Sequence, residues 1–196
     1  MTQTAIANRA LAHLGSHRIV DVNEASPPAE HIRRCWDSER RATLRVGHWN
    51  FARHRLTLSP LAAPAFGWTN AFALPADFLA TVSFNGIESG TSRTNFELEG
   101  SAILCNSTSA QLVYIRDVLD CTKWDDVFVQ AFALRLAAAI APSLTASAGT
   151  ADGLLQKAEI VLGSARLVNA TDGRPEVLRD ELPNDYLEAR AGRGRP

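Results

Sequence analysis

The sequence predicts an α+β fold: a four-helix bundle with a small antiparallel β-sheet inserted between its second and third helices, followed by an extended C-terminal tail. Three observations carry this prediction. Apolar residues recur at three- and four-residue intervals before position 50 and again after position 122. The stretch between them shifts toward a period of two and is cut by Gly and Asn-Gly turn signals. After position 170 apolar periodicity stops altogether. The expected divisions are 1–50 and 122–170 for the two parts of the bundle, 51–121 for the insertion and 171–196 for the arm.

The first helix follows from Ala5, Ile6, Ala10, Leu11 and Leu14, with Gly15 as its stop. The second is punctuated at both ends. Ser26 is a capping residue, Pro27 and Pro28 suit a first turn whose amides need no helical partner, and Gly47 closes it. At ~100° per residue Ile32, Cys35, Trp36, Ala42, Thr43 and Val46 share one side, and Arg33, Arg34, Asp37, Arg41 and Arg45 the other. One side therefore packs and the other stays wet.

Arg53, Arg55, Thr57 and Ser59 then alternate with His54, Leu56 and Leu58. Short strands are expected at 79–84, 96–99, 102–105 and 111–118, with Asn85-Gly86 the strongest hairpin signal. Pro60, Pro64 and Pro75 mark the stretch before Asp77 as loop. Helical spacing returns at Trp124, where Thr122 and Asp125 have the form of a capping box. The segment from Val127 to Ile140 is apolar nearly all round and should be the most buried helix, ended or kinked at Pro142. A fourth helix after Gly149 should pack through Leu154, Leu155, Ala158, Val161, Leu162, Ala165 and Val168. The expected core is Ile32, Trp36, Phe128, Phe132, Leu136, Leu155 and Leu162.

Composition narrows the classes of function. The 196 residues hold 20 Lys plus Arg against 21 Asp plus Glu, a net charge of -1, and 46% are hydrophobic, which argues against wholesale disorder and fibrous repeats. No uninterrupted apolar run has the ~18 residues of a membrane span, and no secretory signal precedes the first helix, so a soluble cytosolic origin is expected. Cys35, Cys105 and Cys121 are odd in number and lack C-x-x-C spacing, so reduced, buried thiols are expected.

No catalytic signature is present: no phosphate-cradling glycine loop, nucleophile-elbow serine or zincin helix. His13 and His17 stand four apart across a helix end, with no third ligand at metal-site spacing. His31, His48 and His54 read as surface or half-buried polar groups. Cys35 reads as a small core residue, without a base nearby in sequence, and Asp125-Asp126 as first-turn acids answering the helix dipole. The expectation is a non-enzyme without cofactor or metal.

Charge is distributed unevenly. Lys123 and Lys157 are the only lysines. Positions 31–55 carry Arg33, Arg34, Arg40, Arg41, Arg45, Arg53 and Arg55 against Asp37 and Glu39. Positions 56–122 carry Asp77, Glu88, Glu97, Glu99, Asp117 and Asp120 against Arg93 and Arg116. Clustered arginine suits phosphate binding, and a small DNA-binding or packaging-associated protein using the second helix is the alternative reading. The acidic balance of the chain favours subunit contact through Arg33, Arg34, Arg41 and Arg45, with neighbouring copies complementing each other head to tail. Glu39 and Arg135 each interrupt an apolar face and are expected to pair across the bundle, because either alone would be costly to bury. The tail retains Leu178, Leu182, Tyr186 and Leu187 as spaced anchors ahead of Arg190, Arg193 and Arg195, a pattern suited to docking on a partner.

The order of motifs resembles a known family. Ala10-Leu-Ala-His-Leu-Gly15, Arg18-Ile-Val, Cys35-Trp-Asp-Ser-Glu-Arg40 and Leu44-Arg-Val-Gly-His-Trp-Asn-Phe-Ala52 are similar to the N-terminal half of phage head-to-tail adaptors. These include the tail tubular protein A, or gatekeeper, of short-tailed phages and the connectors of other tailed phages and gene transfer agents. Leu74-Pro-Ala-Asp-Phe78, Trp124-Asp-Asp-Val-Phe128 and Ala131-Phe-Ala-Leu-Arg-Leu-Ala-Ala-Ala139 resemble the second half. The resemblance implies a helical bundle with a β insertion and a homo-oligomeric ring, usually of twelve copies, at the head-tail junction of a virion. Its implied partners are the portal protein, reached by the C-terminal arm, and a tail or nozzle protein. Genomic DNA would pass through the channel without sequence-specific binding, and assembly would occur in the bacterial host cytoplasm with no membrane involved.

Overall fold

The computed structural model describes residues 1–47, 49–89, 95–145 and 148–172, with side chains of the last helix placed as far as Ala165. His48, Gly90, Arg93, the Val168 side chain and the whole arm with Leu178, Leu182, Tyr186, Leu187, Arg190, Arg193 and Arg195 lie outside the described residues.

Helix α1 spans Gln3–His13 and α2 spans Pro27–Gly47. Seven strands follow: β1 Arg53–Thr57, β2 Asn70–Ala73, β3 Phe78–Phe84, β4 Ile87–Glu88, β5 Phe96–Glu99, β6 Ala102–Cys105 and β7 Gln111–Arg116. Helices α3, Asp126–Thr145, and α4, Ala148–Asp172, complete the described chain.

The expectation of a four-helix bundle with one small inserted sheet is overturned. The strands form two antiparallel sheets, ordered β1-β7-β3-β4 and β2-β6-β5. The four-stranded sheet is a middle layer and not an appendage. Ile115 and Leu79 join the core of the helices, whereas Leu112, Tyr114 and Phe84 join a second core with Phe72, Ile103 and Cys105 of the other sheet. Because side chains alternate across a strand, β7 feeds both cores at once.

Strand β2 lies in the stretch expected to be loop. Its prolines fall outside the strand, at positions where their missing N–H is not required. Pro60 only bridges Phe72, while the neighbouring amides do the bonding: Leu61 N donates to Ala71 O at 2.8 Å and Ala73 N to Ser59 O at 3.0 Å.

Helix ends follow local chemistry. After α1, Gly15 adopts φ +64°, and Gly15 N and Ser16 N donate to Ala12 O and Leu11 O, a left-handed stop that a Cβ would strain. Ser26 Oγ accepts from Ala29 N at 3.4 Å at the start of α2. The capping box expected at Thr122 is not formed. Asp120 accepts from Thr122 in a preceding 3₁₀ turn, and Asp125 caps α3 by accepting from Val127 N at 2.8 Å. Asn85 and Gly86, at φ +48° and +81°, form the tight turn joining β3 to β4.

Helix α3 packs against the other three helices, with Phe128, Phe132, Leu136 and Ile140 fully buried. Asp126–Leu144 has the length and mean hydropathy, 1.7, of a membrane span, although polar residues interrupt its apolar runs; most of it is buried among the helices. Pro142 does not end α3, which continues to Thr145. Trp36 meets Phe132 edge to face at 4.8 Å, and Trp124 meets Phe128 and Phe132 at 4.9 and 5.3 Å. Of the expected core, Ile32, Trp36, Phe128, Phe132, Leu136 and Leu162 are buried, but Leu155 is 41% exposed. Helix α4 turns Leu154, Ala158, Leu162 and Ala165 inward, a stripe of three- and four-residue steps that leaves Leu155 about 100° round the helix. For the same reason Leu44 and not Val46 fills the inner face at the end of α2.

Candidate assembly surface

The buried stripe of α2 is Ala29, Ile32, Trp36, Arg40, Thr43, Leu44 and Gly47, and it is not wholly apolar. Arg40 therefore points inward, at 5% exposure. Its Nε and Nη2 donate to Asp117 Oδ1 and Oδ2 at 2.8 and 2.9 Å, and its Nη1 donates to Asp37. This fork fastens α2 to the chain just beyond β7. Burial pulls the Arg40 pKa down, but hydrogen bonds and charge from Asp117 and Asp37 outweigh it and raise the pKa, so the guanidinium stays charged.

The pairing of Arg40 alters the charge pattern read from sequence. Asp117 was counted with an acidic insert available to neighbouring copies, and it is engaged within its own chain. Asp77 is engaged too, accepting from Tyr114 Oη at 2.9 Å, and Asp120 caps the 3₁₀ turn. Sequence reasoning missed Arg40 although a signal was present: it lies four residues after Trp36 and three before Thr43, on the stripe that also holds Ile32.

Glu39 and Arg135 meet across the bundle, Nε to Oε2 at 3.2 Å, and Arg135 Nη1 also lies 3.6 Å from Glu159. Three helices are thus joined at one partly buried ion cluster. Of the arginines expected at subunit contacts, Arg33 is occupied at home, donating to Val22 O at 2.6 Å and Glu24 O at 3.1 Å. Arg34 makes an exposed pair with Glu30, of the kind that contributes under ~1 kcal/mol. Arg41 and Arg45 are exposed and border a groove with Leu74, Phe78, Leu79 and Leu98, where α2 meets both sheets.

The most open strands carry the charges that stay available. All five residues of β1 are exposed, including Arg53, His54 and Arg55; on β5 Glu97, Leu98 and Glu99 are exposed. Trp68 Nε1 donates to Glu97 Oε2 at 2.9 Å and positions that carboxylate. Under His54 lies the Tyr114 ring, edge to face at 5.7 Å.

The groups weighed for chemistry are not brought together. Among the described residues no three His, Cys, Asp or Glu side chains could hold a metal ion, and His13 and His17 are separated by the Gly15 turn. Burial first, then the charge of Glu39, pushes the Cys35 thiol up, the opposite of what a nucleophile requires.

Tyr114 supplies a pH test of the packing between the sheets. Burial, then the hydrogen bond and charge of Asp77, push its phenol up to about 12 from an ordinary value near ~10. The folded state thus favours neutral Tyr114. Its contribution to stability is complete below the unfolded value and is lost as pH rises between about 10 and 12. Phenolate absorbance that is lost in the Tyr114→Phe protein is expected to appear only well above the ordinary range. Ionisation of Tyr114 near the ordinary value would show that the Asp77 contact does not hold.

No family model matches the chain, and no curated protein matches it.

Proposed function

We propose that the chain is a head-to-tail adaptor of a tailed phage: a non-enzymatic subunit of a homo-oligomeric ring, twelve-fold as the resemblance implies, that joins the portal to the tail and forms part of the DNA channel. The ordered series of family-like motifs carries this reading. Several described members of that series are framework residues. Trp49 is buried and donates to Thr43 O at 3.0 Å, Asp77 of the Leu74–Phe78 motif holds Tyr114, Trp124 stacks on Trp36 and meets Phe128 edge to face, and Asp125 caps α3. A resemblance resting on framework positions supports a shared scaffold, which for a ring subunit is also the working part.

The alternative, DNA binding through α2, loses two of its phosphate ligands because Arg40 is buried and Arg33 is bonded to main-chain carbonyls. Electron micrographs of the protein mixed with a portal ring should show it seated as a coaxial ring. Absence of any complex, together with DNA affinity that falls steeply with salt, would replace the adaptor reading by the alternative. A chain truncated after Asp172, with unchanged circular dichroism, is expected to bind portal at least about tenfold more weakly, the loss of some 1.4 kcal/mol. Undiminished binding would remove the arm from the docking mechanism.

A further inference from the structure

Among the described residues the edges of β1 and β5 are open over four or more residues, whereas β4, the other end of the four-stranded sheet, offers only Ile87–Glu88. In one sheet β1 pairs only with β7, and in the other β5 pairs only with β6. The outer edge of β2, by contrast, is bonded by Ser59 and Leu61.

Register settles which main-chain groups face outward. Leu58 N donates to Ala110 O at 2.9 Å, in line with the β1–β7 pairing, so the even-numbered residues of β1 bond to β7. Arg53, Arg55 and Thr57 therefore direct their N–H and C=O groups away from the sheet. On the other side Leu74 N donates to Ser101 O at 2.9 Å, which assigns Ser101, Ile103 and Cys105 to β2 and leaves Ala102 and Leu104 to bond Glu99 and Glu97. Phe96 and Leu98 then direct their main-chain groups outward.

In a parallel ladder an outward-bonding residue stands opposite an inward-bonding one. Laying β1 beside β5 in this way sets Arg53 opposite Glu97, His54 opposite Leu98 and Arg55 opposite Glu99, each pair on one face. It also covers apolar surface at Leu56 and Leu98, 42% and 46% exposed. Pairing of like edges would crowd Arg53 and Arg55 of two copies together, or Glu97 and Glu99, and is penalised by charge. Charged residues on edges ordinarily prevent indiscriminate pairing; opposite signs on two edges of one chain turn that protection into a choice of partner.

We infer that β1 of one copy pairs in parallel with β5 of the next, through Arg53–Glu97 and Arg55–Glu99, as the repeating joint between copies of this chain. Such a contact is head-to-tail and closes into a ring when its rotation permits. The inference deepens the ring reading above and rests on it.

The full-length protein and three variants, all checked for native circular dichroism, test it by mass photometry, alone and on a portal ring. The R53E/R55E and E97R/E99R proteins each present two edges of one sign, and should need an assembly concentration at least about tenfold above wild type. Their equimolar mixture, and the R53E/R55E/E97R/E99R protein, regain opposite edges and should assemble again. If either double variant assembles like wild type, or if both fail and neither complementation restores assembly, the joint is wrong while the ring reading stands. A wild-type chain that assembles neither alone nor on portal overturns both.

Discussion

Replacing Gly47 with alanine is expected to destabilise the protein by about 3 kcal/mol, read as a lowered denaturant midpoint. A Cβ at this position would lie 2.2 Å from Nε1 and 2.3 Å from Cε2 of Trp49. Trp49 cannot move aside cheaply. It is buried against Phe128, 5.1 Å between ring centres and edge to face, and its Nε1 donates to Thr43 O at the end of the same helix. Any displacement therefore breaks a buried hydrogen bond as well as the packing. The Gly47 backbone is not in the left-handed region, so the cost belongs to close approach and not to φ. Gly163 in α4 supplies the opposite case: nothing lies within 4 Å of its Cβ site, and Gly163→Ala should stabilise the helix by about 1 kcal/mol. Equal effects at both sites would show that helix propensity, and not the tryptophan, governs Gly47.

Replacing Arg40 with methionine is expected to cost about 3 to 5 kcal/mol, because it leaves the largely buried Asp117 carboxylate without its fork of donors. The double variant Arg40→Met with Asp117→Leu should recover much of that loss, since removal of both charges leaves nothing uncompensated. Arg34→Ala on the outer face of the same helix should change stability by less than about 0.5 kcal/mol. Equilibrium unfolding of the four proteins checks the series. A small effect for Arg40→Met would mean that water reaches Asp117 and that the fork is not what joins α2 to the end of β7.

Both predictions concern the joint between helices and sheets, and there the sequence was legible only in part. Helix positions, the Asn85-Gly86 turn and the meeting of Glu39 with Arg135 follow from signals within a few residues or from two charges set in apolar faces. Strand β2 was hidden because Pro60 and Pro75 outweighed a four-residue run whose partners lie 29 to 35 positions away. Leu155 was placed in the core because two adjacent leucines on a helix offer equal evidence, and neighbouring elements select between them. Arg40 was counted only within the arginine-rich stretch because Asp117, its partner, is 77 residues distant.

The residues alone determined the number and rough limits of the helices, the turn chemistry and the imbalance between an arginine-rich segment and an acidic one, since each of these depends on spacing and composition. Only the tertiary structure decided that the strands divide into two sheets, which carboxylates are already engaged within the chain, and which edges keep their charges available. Those outcomes depend on hydrogen-bond register and burial between segments far apart in sequence, which local periodicity does not encode.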